Sequence, residues 1–233
     1  MPDQTMTAVV EFQIRPENAS MPEWLEVWDL RGEDARAAEP ETIAYGTAVN
    51  LEDSNSVLVF ERYRNGRQSL DQHIARPSHA ALTQTMGDRK MTRRRVMSML
   101  FDDVPGFGWW RRDEALDQEG VVLYLVGMRF RTPAVRDQFI EFTAGHAEYC
   151  WREEPETLIY SAGVASRDAD REVDLKRGDL VFVMACTDMA AVQKHSEDPN
   201  HLALGPKRAE LGIERTSTFT RGYRSTGNGF LWR

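Results

Sequence analysis

Histidines are the residues of this chain best suited to acid–base chemistry, and most of them lie in a motif that occurs twice. Residues 70–82 read LDQHIARPSHAAL, and residues 192–204 read VQKHSEDPNHLAL. These segments hold four of the five histidines, namely His73, His79, His195 and His201. The pKa of histidine lies near neutrality, so each is a candidate general base. His73 and His195 are the better candidates for a pocket; alternatively, all four are inherited by duplication and satisfy backbone groups at helix ends.

The spacing of these histidines does not favour a metal site. His73 and His79 are six residues apart with a proline between them, so their rings need not face one point. No carboxylate or cysteine stands near them at the usual ligand spacing. We therefore expect no metal.

The fifth histidine, His146, lies on a predicted helix face with Phe139, Phe142 and Tyr149. A base between aromatic walls suits a flat ligand, although most such histidines are core residues. Tyr45 and Tyr160 occupy matching positions in two copies of a second repeat. We include these three residues with His73 and His195 as catalytic candidates.

Bulky aromatic and basic side chains supply candidates for substrate binding. Core packing is the alternative for the aromatic residues, and a solvent-exposed strand end is the alternative for the arginines. The substrate-binding candidates are Trp24, Trp28, Arg62, Tyr63, Arg129, Phe142 and Tyr149.

Composition limits the class of protein. The net charge of −8 argues against a nucleic-acid or anionic-membrane surface, because both need clustered positive charge. The two cysteines imply no disulfide framework, and their apolar surroundings argue against a thiol nucleophile. No signal peptide and no apolar run of about 20 residues is visible. We expect a cytoplasmic protein without nucleic-acid or membrane partners, and pairing of two chains into a homodimer is compatible with the sequence.

The chain contains one fold twice. EPETIAY at residues 39–45 matches EPETLIY at 154–160, and VVEFQIRP at 9–16 resembles VGMRFRTP at 126–133. Together with the histidine motifs, these matches predict the same order in each half: strand, helix, strand, strand, short helices, strand. We expect one domain at residues 1–102, a linker at 103–119, a second domain at 120–223 and a C-terminal tail at 224–233.

Two predicted strands indicate how the halves pack. VVLYLVGM at residues 121–128 and LVFVMAC at 180–186 are apolar on both faces, whereas a sheet open to water would alternate. Helices cover one face, and the sheet of the other half is the natural cover for the second. We predict an α+β fold in which two tandem ferredoxin-like domains pack their antiparallel sheets into a pseudo-dimeric α+β barrel.

EPETIAYG, VLVFERY and LDQHIARPSHAAL, with their second copies EPETLIYSAG, LVFVMACTD and VQKHSEDPNHLAL, resemble the antibiotic biosynthesis monooxygenase domain of the dimeric α+β barrel superfamily. The resemblance covers roughly residues 7–102 and 120–223 and implies oxygenases that use no metal, flavin or nicotinamide. Haem is an alternative, since some relatives bind it, but an Asn and a Trp used by the haem-degrading relatives have no counterpart that we can place.

The resemblance leads us to expect a cofactor-independent oxygenase. Its partners are a small aromatic or polyketide-derived substrate and O2. A histidine or tyrosine would remove a substrate proton, an arginine or tyrosine would hold the enolate, and O2 would react with the carbanion. An oxygen-independent cyclase or isomerase using the same pocket is one alternative, and a ligand-binding or stress-response protein without turnover is another.

Overall fold

A computed structural model of the chain describes residues 4–112 and 119–233. Its elements, in chain order, are β1 (Met6–Ile14), α1 (Met21–Ala38), β2 (Thr42–Asn50), β3 (Ser56–Tyr63), α2 (Gly66–Ile74), α3 (Pro77–Asp88), β4 (Thr92–Asp103), β5 (Val122–Phe130), α4 (Pro133–Glu153), β6 (Thr157–Ala165), β7 (Asp170–Arg171), β8 (Leu180–Cys186), α5 (Met189–Glu197), α6 (Pro199–Glu210) and β9 (Arg215–Phe230). None of the helices in these ranges is long and apolar enough to cross a membrane.

The two long helices begin where local sequence predicts. Ser20 precedes α1 and forms a capping box with Glu23, in which each residue bonds the backbone N–H of the other. Thr132 precedes α4, accepts from the backbone N–H of Val135 and is followed by a proline in the first turn. Both long helices therefore start from side-chain caps that local sequence specifies.

The strands form one closed antiparallel barrel. Their order in the sheet is β1-β3-β2-β9-β5-β8-β6-β4-β7, and β1 also pairs with β4, so eight strands close and the short β7 lies beside β4. The last strand of each half crosses to the other: β9 pairs with β2, and β4 pairs with β6. The predicted pseudo-dimeric α+β barrel is confirmed.

Both halves fill the barrel interior. Val9, Leu58 and Phe60 of the first half share one buried cluster with Leu123 and Val183 of the second. Separate clusters lie under the helices of each half. Strands β5 and β8 are apolar on both faces because one face lines this interior and the other lies under helices.

The expected linker and tail need correction. Strand β9 continues to Phe230 and pairs with β2, so residues 224–230 are part of the barrel. In the expected linker, residues 113–118 lie outside the described residues, but Trp109 exchanges two backbone hydrogen bonds with Tyr160 of β6. Both segments are therefore fixed to the barrel by backbone hydrogen bonds.

The segment after β4 and the segment at the end of β9 match each other in sequence, so the repeat extends to them. GFGWWRR at residues 106–112 corresponds to GNGFLWR at 227–233. Arg112 donates to the carbonyl oxygens of Cys150 and Glu154 at the end of α4. Arg233 donates to those of Ala35 and Glu39 at the end of α1. Each half thus sends its last residues to cap the long helix of the other half.

A glycine in each segment makes this crossing possible. Gly108 has φ +60°, and a Cβ there would lie 1.8 Å from the carbonyl oxygen of Tyr160. Gly229 has φ +77°, and a Cβ there would lie 2.0 Å from the carbonyl oxygen of Tyr45. Only glycine combines this backbone conformation with such a close approach.

We expect Gly108→Ala and Gly229→Ala each to destabilise the protein by more than about 2 kcal/mol, because left-handed strain adds to a clash with backbone. Gly145→Ala on α4 is the control, since its Cβ meets nothing within 4 Å; helix propensity predicts no loss there. Urea unfolding measures all three. Equal stability of the Gly108 and Gly145 variants would contradict the proposed crossing.

Candidate functional site

In each half, a glutamate at the end of the long helix holds a histidine of the repeated motif. Glu39 follows α1, and its Oε2 atom lies 2.7 Å from His73 Nδ1 and accepts from Thr42 Oγ1 at 2.8 Å. Because a carboxylate only accepts, Nδ1 of His73 carries a hydrogen that is donated to Glu39. His73 is almost fully buried, so the pair fixes the orientation of its ring.

The second half repeats this pair. Glu154 follows α4, and its Oε2 atom lies 2.8 Å from His195 Nδ1 and accepts from Thr157 Oγ1 at 3.1 Å. Burial raises the pKa of Glu154, but the hydrogen bond and charge of His195 prevail and lower it overall. The glutamate–histidine pair is therefore common to both halves.

A guanidinium group completes the pair in the first half. Arg31 Nη2 lies 2.5 Å from Glu39 Oε1, and it lies 2.7 Å from Nδ1 and 3.2 Å from Nε2 of the His73 ring. Burial would raise the pKa of Glu39, but His73, Thr42 and Arg31 outweigh it and hold that pKa at about 2. The first half therefore contains a buried, charge-compensated cluster.

The second half has an imidazole where the first half has the guanidinium. His146 precedes Glu154 by eight residues, as Arg31 precedes Glu39. Its ring centroid is 5.5 Å from those of both His195 and His201, which are 4.5 Å apart. Burial, followed by the charges of His195 and His201, lowers the pKa of His146 to about 4.

The structure corrects the expectation that the spacing of the paired histidines keeps their rings from facing one point. His73 and His79 have ring centroids 5.6 Å apart, and the rings of His195 and His201 are closer still. The proline between them begins the second short helix, and this turn brings the two rings together. Six residues with a proline therefore favour convergence here.

A cavity of about 700 Å³, which we call the first cavity, lies between α2, α3 and the outer face of β1, β3 and β4. His73 and His79 line it together with apolar walls that include Phe12, Trp28 and Leu82. Burial, followed by the charges of His73 and Arg31, lowers the pKa of His79, so its imidazole is neutral at pH 7.

Glu61 on β3 also lines the first cavity, and the sequence analysis missed it. Only 8% of this residue is exposed, and Tyr63 Oη donates to its Oε2 atom at 2.8 Å. Burial raises the pKa of Glu61, although His73, Tyr63 and Arg31 act in the opposite direction. A buried carboxyl with a raised pKa is a stronger base than a solvated one.

A second cavity of about 570 Å³ lies under α4, α5 and α6 against β5, β6, β8 and β9. His195 and His201 line it, as do Phe142 and Tyr160. Tyr45 pairs with Glu61 in the β2–β3 ladder, and Tyr160 pairs with Met184 in the β6–β8 ladder. Met184 therefore takes the position of Glu61, and the second cavity lacks that carboxyl.

The predicted tyrosines have different surroundings. Tyr45 is buried behind His73, and Tyr160 is buried beside Phe182 and His195. Burial raises the pKa of Tyr45 and Tyr160 well above 10, which disfavours either as a base at neutral pH. Tyr149 donates to Asp198 at 2.9 Å and stacks on His146.

The predicted tryptophans lie side by side on α1. Trp24 is fully buried, and its Nε1 atom donates to Thr92 Oγ1 at 3.3 Å. Trp28 stacks on Trp24 with 5.0 Å between ring centroids and reaches the first cavity. Of the two, only Trp28 is placed to contact a ligand there.

The predicted arginines lie in ion pairs outside the residues that line the two cavities. Arg62 lies 2.5 Å from Asp103 Oδ2 and packs over the Trp110 ring. Arg129 bonds Asp174 and Asp179 at 2.9 and 2.8 Å. These ion pairs give both arginines a structural role, away from the residues that line the two cavities.

Replacing Glu39 tests the buried cluster. We expect Glu39→Gln to lose at least about 2 kcal/mol of unfolding free energy at pH 7, because a pKa held near 2 stabilises the fold above the unfolded pKa of 4.5. This stabilisation is lost as the pH falls from 4.5 towards 2, so the deficit of the variant shrinks there.

Glu41→Gln is the matched control, because Glu41 pairs with Arg64 at the surface and such pairs contribute at most about 1 kcal/mol. Urea unfolding at a series of pH values measures both variants. The same small loss in both at pH 7 would show that the cluster does not stabilise the fold.

Comparison with known proteins agrees with this architecture. Residues 5–84 match the family model for antibiotic biosynthesis monooxygenase. No curated protein matches the chain in sequence.

Solved structures of similar extent share the fold at low sequence identity. A protein of Fusobacterium nucleatum, provisionally named a monooxygenase, has a TM-score of 0.71 and 11% identity over 100% of this chain and 99% of its own. One from Lactobacillus acidophilus with the same provisional name has a TM-score of 0.66 and 13% identity, with coverage of 95% and 93%. An anthrone oxidase-like protein has a TM-score of 0.58 and 13% identity, with coverage of 96% and 92%.

These structures match both halves at once, which fits the tandem architecture. Residues 5–84 thus match the antibiotic biosynthesis monooxygenase family model, and the second half of the chain repeats the fold of the first.

Proposed function

We propose that the chain is a cofactor-independent oxygenase that oxidises a small aromatic or polyketide-derived substrate in the first cavity. The family match supports a monooxygenase-like role at the level of the family. The observation that carries the finer proposal is Glu61, a buried carboxyl with a raised pKa in a largely apolar cavity.

The size and walls of the first cavity suit a flat aromatic ligand. Its volume of about 700 Å³ falls within the usual range of small-molecule sites, and Phe12 and Trp28 offer ring faces for stacking. His79 supplies a buried Nδ1 atom without a hydrogen-bond partner among the described residues. That nitrogen can bond a phenol or carbonyl oxygen of the substrate.

Glu61 is the base in this proposal, in place of the histidine or tyrosine expected from sequence. His73 already forms hydrogen bonds with Glu39 and Arg31. These charged partners of His73 lie next to Glu61. Tyr63 orients the Glu61 carboxylate through its hydroxyl.

The chemistry balances without an external reductant. Glu61 removes a proton from an activated CH2 group, and the carbanion passes one electron to O2. The two radicals combine to a peroxide anion. Its O–O bond breaks as the carbon loses its second hydrogen, so a carbonyl group forms and hydroxide leaves. One oxygen atom enters the product, the other leaves as water, and Glu61 returns its proton to the leaving hydroxide.

Oxygen uptake by metal-free protein tests the proposal. An anthrone is a suitable probe because it has an activated CH2 group, and one structural relative carries that name. We expect Glu61→Gln to lower the rate by about 10²- to 10⁴-fold, because it removes the base. Met184→Gln places the same side chain at the matching position of the second cavity and retains the rate.

Four results would contradict the proposal. If wild-type protein consumes no oxygen with the anthrone, the function is wrong. Product formation under strict anaerobiosis would identify a cyclase or isomerase, and tight binding without turnover a binding protein. A loss of rate in Met184→Gln with normal Glu61→Gln would move the reaction to the second cavity.

The pH profile tests the role of Glu61 separately. Because the carboxylate is the active form, kcat/KM falls as the pH decreases through a pKa that burial raises above 4.5. Glu61→Asp keeps this acid limb with a reduced rate, whereas Glu61→Gln loses it. An unchanged acid limb in Glu61→Gln would exclude Glu61 as the titrating base.

A further inference from the structure

The three imidazoles of the second half form a cluster that the proposed oxygenase reaction does not use. One nitrogen atom from each of His146, His195 and His201 lies within 4.8 Å of the other two. His146 and His195 are buried and His201 is half-buried. Imidazole is the commonest metal-binding side chain, and three of them are a usual ligand set for Zn²⁺.

Two buried polar atoms at this cluster have no hydrogen-bond partner among the described residues. They are Nδ1 of His201 and Oε1 of Glu154, and Glu154 is only 5% exposed. An unsatisfied buried carboxylate oxygen is costly, and so is an unsatisfied ring nitrogen. Of the two, the carboxylate oxygen of Glu154 is the atom whose charge a nearby cation would compensate.

The first half shows what fills the corresponding position there. Glu39 Oε1, the counterpart of Glu154 Oε1, accepts from Arg31 Nη2 at 2.5 Å. In the second half His146 replaces that arginine, so the glutamate–histidine pair keeps its geometry but loses its cation. A metal ion bound to the imidazoles would restore the positive charge.

The surroundings of the cluster also suit a metal. Glu154 holds Nδ1 of His195 and leaves the second ring nitrogen for the ion, as carboxylates do behind many metal-bound histidines. Cys150 Sγ lies 3.4 Å from His146 Nε2, which adds a soft ligand atom close by. Nitrogen and sulfur favour Zn²⁺ and similar ions over Mg²⁺ or Ca²⁺, which prefer oxygen.

We propose that His146, His195 and His201 bind one Zn²⁺-class transition-metal ion in the second half of the chain. The first half does not bind it, because the Arg31 guanidinium occupies the matching position. His195 and His201 also line the second cavity, so a ligand entering there can reach the ion. This site is independent of the oxygenase proposal, which concerns the first cavity and is tested on metal-free protein.

Calorimetric titration of chelator-stripped protein with Zn²⁺ tests the site. We expect one ion per chain, and at least about tenfold weaker binding in His146→Ala and in His201→Ala, since each loses a ligand. His79→Ala is the matched control, because His79 is the first-half counterpart of His201, and it leaves zinc binding unchanged.

His146→Arg guards against a variant that merely unfolds. It installs the first-half residue, so we expect zinc binding to disappear while the melting temperature of the metal-free protein is kept or raised. Co²⁺ gives an independent readout through its visible d–d bands, which appear in wild-type protein and not in this variant. Absence of zinc binding in wild-type protein would overturn the proposal. Equal weakening in His79→Ala and His201→Ala, or unchanged binding in His146→Ala and His201→Ala, would do so too.

Discussion

The glutamate–histidine pair at the end of each long helix is the contact on which the rest of both sites depends. Glu39 joins α1 to the histidine motif and to the start of β2, and Glu154 does the same for α4. A buried carboxylate is tolerable only when charge and hydrogen bonds compensate it. The fold therefore needs a partner for this carboxylate in each half, and the choice of partner sets the local chemistry.

The two halves differ in the residue that stands beside this carboxylate. In the first half, Arg31 compensates Glu39, and Glu61 remains as a titratable group facing the first cavity. In the second half, His146 replaces the arginine and Met184 stands at the position of the carboxyl. One scaffold thus carries a buried carboxyl at the first cavity and three neighbouring imidazoles at the second. The barrel interior that both share keeps the two sites in one unit.

Repeated motifs predicted the fold because strand and helix patterns recur in order, and periodicity reports burial directly. The crossing segments were missed although Gly106, Gly108 and Arg112 recur at 227, 229 and 233. The site was harder to predict. Glu61 is one charge within an apolar strand, and its raised pKa comes from burial that only the packed helices create. The correspondence of Arg31 with His146 is hidden because the long helices have diverged in sequence.

The central claim is that the first half binds and oxidises the organic substrate, whereas the second half binds the metal ion. A crystal structure of the protein grown with Zn²⁺ and a hydroxylated anthraquinone, with anomalous data at the zinc edge, tests this most directly. The account predicts the anthraquinone in the first cavity beside Glu61 and one zinc peak among His146, His195 and His201. Both ligands in the same half, or the two in exchanged positions, would contradict it.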